Sequence, residues 1–185
     1  MLIFFDLYGT LLNVSTDRYS RKSADIYASL LSEEGIKISA SLIYEELICV
    51  IDRVDHNPTP DFVEKDHLSI FNDFFNNNGF VFDLERLKKL AYLCRVSGRN
   101  KIYIDKELHE TLKLLRKNNH LGIISNAQYI YTRPEIEMFS LDKEVDDIFL
   151  SSEIGYRKPG EEIFLRALLK INKKYDGDIW YVGEI

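Results

Sequence analysis

The order of apolar runs along the chain predicts an α/β protein, with a parallel sheet flanked by helices and an all-helical block inserted after the first strand. Three observations carry this. Four short apolar runs, Leu2–Phe5, Leu121–Ile124, Ile148–Leu150 and Ile179–Val182, lack polar alternation, as strands buried on both faces of a parallel sheet do. Helical spacing precedes the second of these runs and separates the third from the fourth, giving the alternation of α and β that builds such a sheet. Between the first and second runs lies a stretch, about 15–98, in which only helical periodicity recurs, too long for a single crossover.

Each element follows from its residues. Leu2 to Phe5 is ended by Asp6 and the turn-forming Gly9. Within the inserted block, Ile43, Leu47, Val50, Ile51 and Val54 fall on one helical face. Val63, His67, Ile70, Phe71, Phe74 and Phe75 fall on another. Asn57-Pro58-Thr59-Pro60 breaks the chain between these two helices, and Leu84, Leu87, Leu90 and Ala91 mark a third before Ser97-Gly98. Leu108, Leu112 and Leu115 predict a helix over about 105–118, closed by Asn118-Asn119. A last helix starts near Pro159 and turns Ile163, Phe164, Ala167, Leu168 and Ile171 inward. The domain reading is therefore 1–14 with 99–185 as an α/β core, and 15–98 as a helical cap. Phe71, Phe74, Phe75, Phe80 and Phe82 are expected in the core of that cap.

Composition bounds the function. The chain has 185 residues, 45% of them hydrophobic, so it can bury a core; 24 Lys and Arg against 30 Asp and Glu give a net charge of −6. No run of Lys or Arg exceeds two residues, which argues against nucleic acid and against an electrostatic membrane-surface partner. Cys49 and Cys94 have no disulfide or zinc-ligand spacing and read as buried thiols. The apolar N-terminus is cut by Asp6 before it could serve as a signal or a span, so a cytoplasmic location is expected. His56, His67, His109 and His120 show no paired ligand spacing, and Asp142, Glu144, Asp146 and Asp147 read as a solvated acidic loop.

The chemistry lies at the strand ends, where open α/β sheets place ligands. They supply Asp6 with Tyr8, Gly9 and Thr10, then Ser125 with Asn126, then Lys158 before Pro159, and last Glu184. Singly, each reads as a turn or loop residue. Together, a carboxylate, a hydroxyl, an ammonium and a second carboxylate suit a nucleophilic aspartate acting on a phosphoryl group, the second acid binding Mg²⁺.

Asp6-Leu7-Tyr8-Gly9-Thr10-Leu11, Leu121 to Asn126, Glu153-Ile154-Gly155-Tyr156-Arg157-Lys158-Pro159-Gly160 and Trp180 to Glu184 resemble, in order, the four motifs of the haloacid dehalogenase (HAD) superfamily. The resemblance spans nearly the whole chain. It implies a Rossmann-like core with a substrate-selecting helical cap, and a hydrolase acting on a small-molecule substrate as a monomer or homodimer. Asp6 is then the nucleophile, with Mg²⁺ bound by Asp6, the backbone carbonyl of Tyr8 and Glu184. Ser125 and Lys158 hold the transferring group, Lys158 also balancing the charge of Asp6. Asn126 and the amides around Gly9 and Thr10 add donors for developing negative charge.

Two features pull the resemblance apart. Family phosphatases usually carry Asp two positions after the nucleophile, as acid and base. Here Tyr8 stands there, and a phenol with a pKa of about 10 is a poor base at neutral pH. Asp-x-Tyr-Gly-Thr resembles the family's 2-haloacid dehalogenases, which displace halide from carbon and need no metal; Tyr8 could otherwise simply pack against the cap. Against that, Val182-Gly183-Glu184 is similar to the metal-binding form of the fourth motif. No cap arginine of the dehalogenase kind stands out among Arg18, Arg21 and Arg53. The expectation is a Mg²⁺-dependent phosphatase working through an aspartyl-phosphate on Asp6, with a metal-independent dehalogenase or a degenerate binding protein as alternatives. Relatives continue past the fourth motif with a further acidic residue, helix and strand, whereas this chain stops one residue after Glu184. Its core is therefore expected to be a truncated one, incomplete at the C-terminal end.

Overall fold

The structure, a computed structural model, describes residues 1–171 and 177–184. In chain order the elements are β1 (Leu2–Phe5), β2 (Asn13–Thr16), α1 (Arg21–Glu33), α2 (Ala40–Ile43), a π-helical stretch (Tyr44–Ile48), α3 (Cys49–His56), α4 (His67–Asn77) and α5 (Leu84–Ser97). There follow β3 (Arg99–Tyr103), α6 (Leu108–Arg116), β4 (His120–Ser125), α7 (Tyr129–Met138), a 3-10 turn (Leu141–Lys143), β5 (Asp147–Leu150), α8 (Ser151–Ile154), α9 (Glu161–Ile171) and β6 (Ile179–Val182). The chain divides into two compact units. One comprises Met1–Val14, Thr59–Glu64 and Ile102–Ile185, the other Ser15–Pro58 and Lys65–Lys101.

The first unit is α/β, as its apolar runs predict. Its sheet has the order β5-β4-β1-β6, and every pairing is parallel. All four residues of β1 are at most 7% exposed, and their alternation explains why none can be polar. Ile3 and Phe5 join Leu121, Ile123 and Leu112 in one cluster. Leu2 and Phe4 join Ile124, Phe149, Ile163 and Ala167 in the other. Gly122 lies opposite Phe4 in register, and a Cβ there would come within 2.8 Å of the Phe4 ring, so the glycine makes room for the aromatic. Thr59–Glu64, which sequence reading left inside the helical block, belongs to this unit.

The second unit is helical, built around the fully buried Tyr27, Leu31, Ile43, Leu47, Phe71 and Leu90. Short polar side chains start its helices. Ser20 accepts from the Ser23 amide, Ser39 from Leu42, Asp66 from Leu68 and Asp83 from Arg86. A buried polar group ties α3 to α4: Asp55 accepts from Tyr19 at 2.6 Å, lies 3.0 Å from His67 Nε2, and pairs with Arg18 at 3.1 Å. Burial pushes the Asp55 carboxyl upward, but His67, Arg18 and Tyr19 outweigh it and hold it down at about 2.

Several details differ from the sequence reading. Helix α4 starts at His67, because Asp66 caps it, and Val63 instead bridges Tyr156 in an extended segment. Neither the β2–β3 ribbon, at the residues where the chain leaves and re-enters the α/β unit, nor α7 shows a strong apolar period. Cys94 is buried and its thiol pushed up to about 12 by that burial, whereas Cys49 is only half-buried. The acidic loop is paired rather than merely solvated. Arg116 binds Asp146 at 2.7 Å, His109 meets Glu144 at 3.2 Å, and His120 meets Asp147 at 2.5 Å. Leu84 at the start of α5 is exposed, while Phe71, Phe74 and Phe75 are buried and Phe80 and Phe82 are half-buried beside them. Among the described residues no helix is long and apolar enough to cross a membrane.

Candidate active site

Asp6 is the first residue beyond β1, and the strand order places β4 on one side of it and β6 on the other. Parallel pairing aligns the carboxyl ends of all three strands, so Ser125 at the end of β4 and Gly183-Glu184 just past β6 arrive at the same edge. The Asp6 amide donates to the Val182 carbonyl at 2.9 Å, extending that alignment by one residue. The edge is crowded. A Cβ on Gly183 would stand 2.5 Å from Asp6 Cβ, and its φ of 141° is one that other residues rarely adopt.

The Asp6 carboxylate, 8% exposed, is held on both oxygens. Oδ1 accepts from Ser125 Oγ at 2.7 Å and from the Leu7 amide at 2.7 Å, while Oδ2 faces Lys158 Nζ at 2.9 Å. The ammonium also donates to the Glu184 backbone carbonyl at 2.8 Å and to the Tyr181 hydroxyl, and it lies 5.0 Å from the centre of the Tyr181 ring. Burial pushes the Lys158 pKa below its ordinary value, with Asp6 and Glu184 opposing that shift. Burial, and then the charge of Asp6, push the Tyr181 phenol upward.

The remaining sequence-predicted residues are placed less simply. Asn126 clamps the lysine's main chain, accepting from the Lys158 amide at 2.7 Å and donating to its carbonyl at 3.0 Å. Its side chain therefore positions Lys158, with one of the two N–H donors of its amide already used. The Gly9 and Thr10 amides are engaged in the turn, donating to the carbonyls of Leu12 at 3.0 Å and Leu7 at 3.3 Å, so they are not poised as free donors. Gly9, at φ 81°, supplies the left-handed residue that the turn requires. The Tyr8 phenol reaches α7 of the α/β unit. It donates to Glu135 Oε2 at 2.6 Å and lies 3.0 Å from Thr132 Oγ1, both buried on α7. Glu184 is exposed. Sequence reasoning missed Tyr181 and Glu135. A tyrosine two residues inside a strand end was the only signal for the first, and a lone Glu on a weakly periodic helix gave none for the second.

Among the described residues no group of three or more His, Cys, Asp or Glu could hold a metal ion. Asp6 and Glu184, which follow the neighbouring strands β1 and β6, would supply two carboxylates, and the Tyr8 carbonyl would be a third oxygen. That all-oxygen set suits Mg²⁺, which keeps several waters and needs few protein ligands.

A buried aspartate between a serine and a lysine, at the carboxyl edge of a parallel sheet, defines an α/β protein whose site centres on one carboxylate. Residues 1–183 match the model of the haloacid dehalogenase-like hydrolases, and the chain belongs to that family. No curated protein matches it. Among solved structures it is similar to a 2-haloacid dehalogenase from Pseudomonas syringae pv. Tomato DC3000, at 20% identity and a TM-score of 0.62, covering all of this chain and 77% of that one. A HAD phosphatase from Thermococcus onnurineus matches at 18% identity and 0.57, with the same coverages. A HAD-hydrolase from Bacillus subtilis, solved bound to magnesium, matches at 17% identity and 0.51, covering all of this chain and 78% of its own. These likenesses carry the fold.

Proposed function

We propose that this hydrolase is a Mg²⁺-dependent phosphatase acting on a small phosphorylated metabolite, with Asp6 as nucleophile. The observation that carries the reading is Glu184, just past β6 on the strand next to the one that delivers Asp6, a second carboxylate at the sheet edge where the nucleophile already has its own cation in Lys158. A metal-free displacement at carbon has no use for that second acid. An Asp6 oxygen attacks phosphorus, the bond to the leaving oxygen breaks, and that oxygen takes a proton from solvent. Water then attacks the aspartyl-phosphate, freeing phosphate and restoring Asp6. Ser125 Oγ and Lys158 Nζ, which both donate to Asp6, are within reach of a phosphoryl group carried on that carboxylate. Lys158 is the fixed positive charge that offsets charge on the equatorial oxygens. Asp6, the Tyr8 carbonyl and Glu184 would hold Mg²⁺, which supplies screening between carboxylate and phosphate.

Hydrolysis of p-nitrophenyl phosphate should require Mg²⁺ and disappear in Asp6→Asn. The second reading, a metal-independent 2-haloacid dehalogenase, is favoured by Tyr8, whose phenol is engaged with Glu135. Halide release from 2-chloropropionate in the presence of a chelator, with no aryl phosphatase activity, would replace the first reading by the second. Turnover of neither substrate would leave the binding-protein reading.

A further inference from the structure

We propose that Glu64 is a positioning residue for Lys158, supplied by a strap that the helical stretch of the sequence lends to the α/β unit; this rests on the reading of Asp6, Ser125 and Lys158 above. The strap is Thr59–Glu64, grouped with the α/β unit although the chain on either side belongs to the helical one. It lies along the loop that carries Lys158. Val63 bridges Tyr156 in antiparallel fashion, the Glu64 amide donates to the Gly155 carbonyl at 3.0 Å, and the Arg157 amide donates to the Phe62 carbonyl at 2.7 Å. Phe62 itself has φ 52°, a conformation that the surrounding contacts must hold in place. The approach is tight, since a Cβ on Gly160 would stand 2.9 Å from Phe62 Cβ.

The side chain of Glu64 reaches further. Its carboxylate, 3% exposed, accepts from Ser151 Oγ at 2.5 Å and lies 3.7 Å from Arg157 Nε. With its hydrogen directed at Glu64, the Ser151 hydroxyl is free to accept from the Ala127 amide, which it does at 2.8 Å. Ala127 follows Asn126, whose side chain clamps both main-chain polar groups of Lys158. A buried carboxylate is costly unless paired, and this one is paired with Ser151 and Arg157, which both follow β5 in the chain. The Lys158 loop is thereby fixed from two sides, by the strap's backbone and by the path from Glu64 through Ser151 and Ala127 to Asn126. Lysine has a long flexible stem, so the placement of Nζ beside Asp6 depends on a backbone that does not drift. A displacement of about 1 Å at a reacting group can cost on the order of 100-fold in rate.

The test uses the full chain with Glu64→Ala, Glu64→Gln and Ser151→Ala. Two measurements are made: steady-state kinetics on p-nitrophenyl phosphate with Mg²⁺, and the rate at which Lys158 is acetylated by an N-hydroxysuccinimide ester, followed by peptide mass spectrometry. Glu64→Ala should lower kcat by at least about tenfold with KM changed about twofold or less, and should speed acetylation of Lys158 selectively over surface lysines. Glu64→Gln retains an acceptor for Ser151 and should recover most of both, and Ser151→Ala should resemble Glu64→Ala. Unchanged kinetics and labelling in Glu64→Ala overturn the proposal. So does a lowered melting temperature with Lys158 as protected as in the parent, which marks Glu64 as merely structural. If the parent has no turnover that Asp6→Asn removes, the phosphatase reading fails, and the labelling rates alone still decide the role of Glu64.

Discussion

Lys158 shows how one residue joins fold and chemistry. Its ammonium is nearly enclosed, and burial lowers its pKa from the ordinary lysine value more than Asp6 and Glu184 raise it. A lowered pKa means that the cation is lost at a lower pH than for a free lysine. Turnover should therefore fall on the alkaline side below about pH 10.4, the range of an ordinary lysine. Lys158→Arg keeps its charge throughout this range, so whatever turnover it retains should lack that limb. An alkaline limb unmoved by the substitution would assign it to another group. Asp6, Ser125 and Lys158 were legible because each follows an apolar run and the three occur in a recognisable order. Glu64 and Glu135 were not, because their partners lie far along the chain, and Tyr181 was not, because it lies within an apolar run. Ser151 is 87 residues from Glu64, and Tyr8 is 127 from Glu135.

Among the elements, those with a strong apolar period were read correctly from sequence and those with polar buried faces were not. Strand β1 has no polar residue because both its faces are covered. Helix α7 was not anticipated because it buries Thr132 and Glu135 along with Ile130, Tyr131 and Ile136, so its apolar stripe is interrupted. In the ribbon, most of β2 and β3 is exposed or half-buried and gives no alternation to detect. The helical unit hides a comparable polar group in Asp55 with Tyr19, His67 and Arg18. A carboxyl held at about 2 when folded and near 3.9 when unfolded stabilises the fold above the unfolded value. That stability is lost as pH falls through the folded one. Its size is about 2–3 kcal/mol. Asp55→Asn should be less stable than the parent in urea at pH 6, and the difference should shrink steadily between about pH 4 and pH 2. A gap that is constant with pH would remove Asp55 as the titrating group.

At the scale of the whole molecule, the chain passes between its two compact units after Val14, Pro58, Glu64 and Lys101, and each unit has its own core. The two buried polar sites, around Asp6 and around Asp55, share no residue, so their contributions to stability should add. A ligand that binds only the folded state at 100 times its Kd stabilises by about 2.7 kcal/mol. In a protein of this size that corresponds to a rise in melting temperature of roughly 5–10 °C. Mg²⁺ at saturation should produce such a rise in the parent and in Asp55→Asn alike, because the helical unit holds none of the proposed ligands. Glu184→Gln should abolish the rise, because an amide oxygen is a weaker ligand than a carboxylate for a hard cation, while leaving the metal-free melting temperature within a degree or two. Glu184 is exposed and its hydrogen bond with Lys158 is made by the backbone carbonyl, which the substitution keeps. A Mg²⁺ increment that survives in Glu184→Gln would place the cation elsewhere, and with it would go the observation on which the proposed phosphatase reading rests.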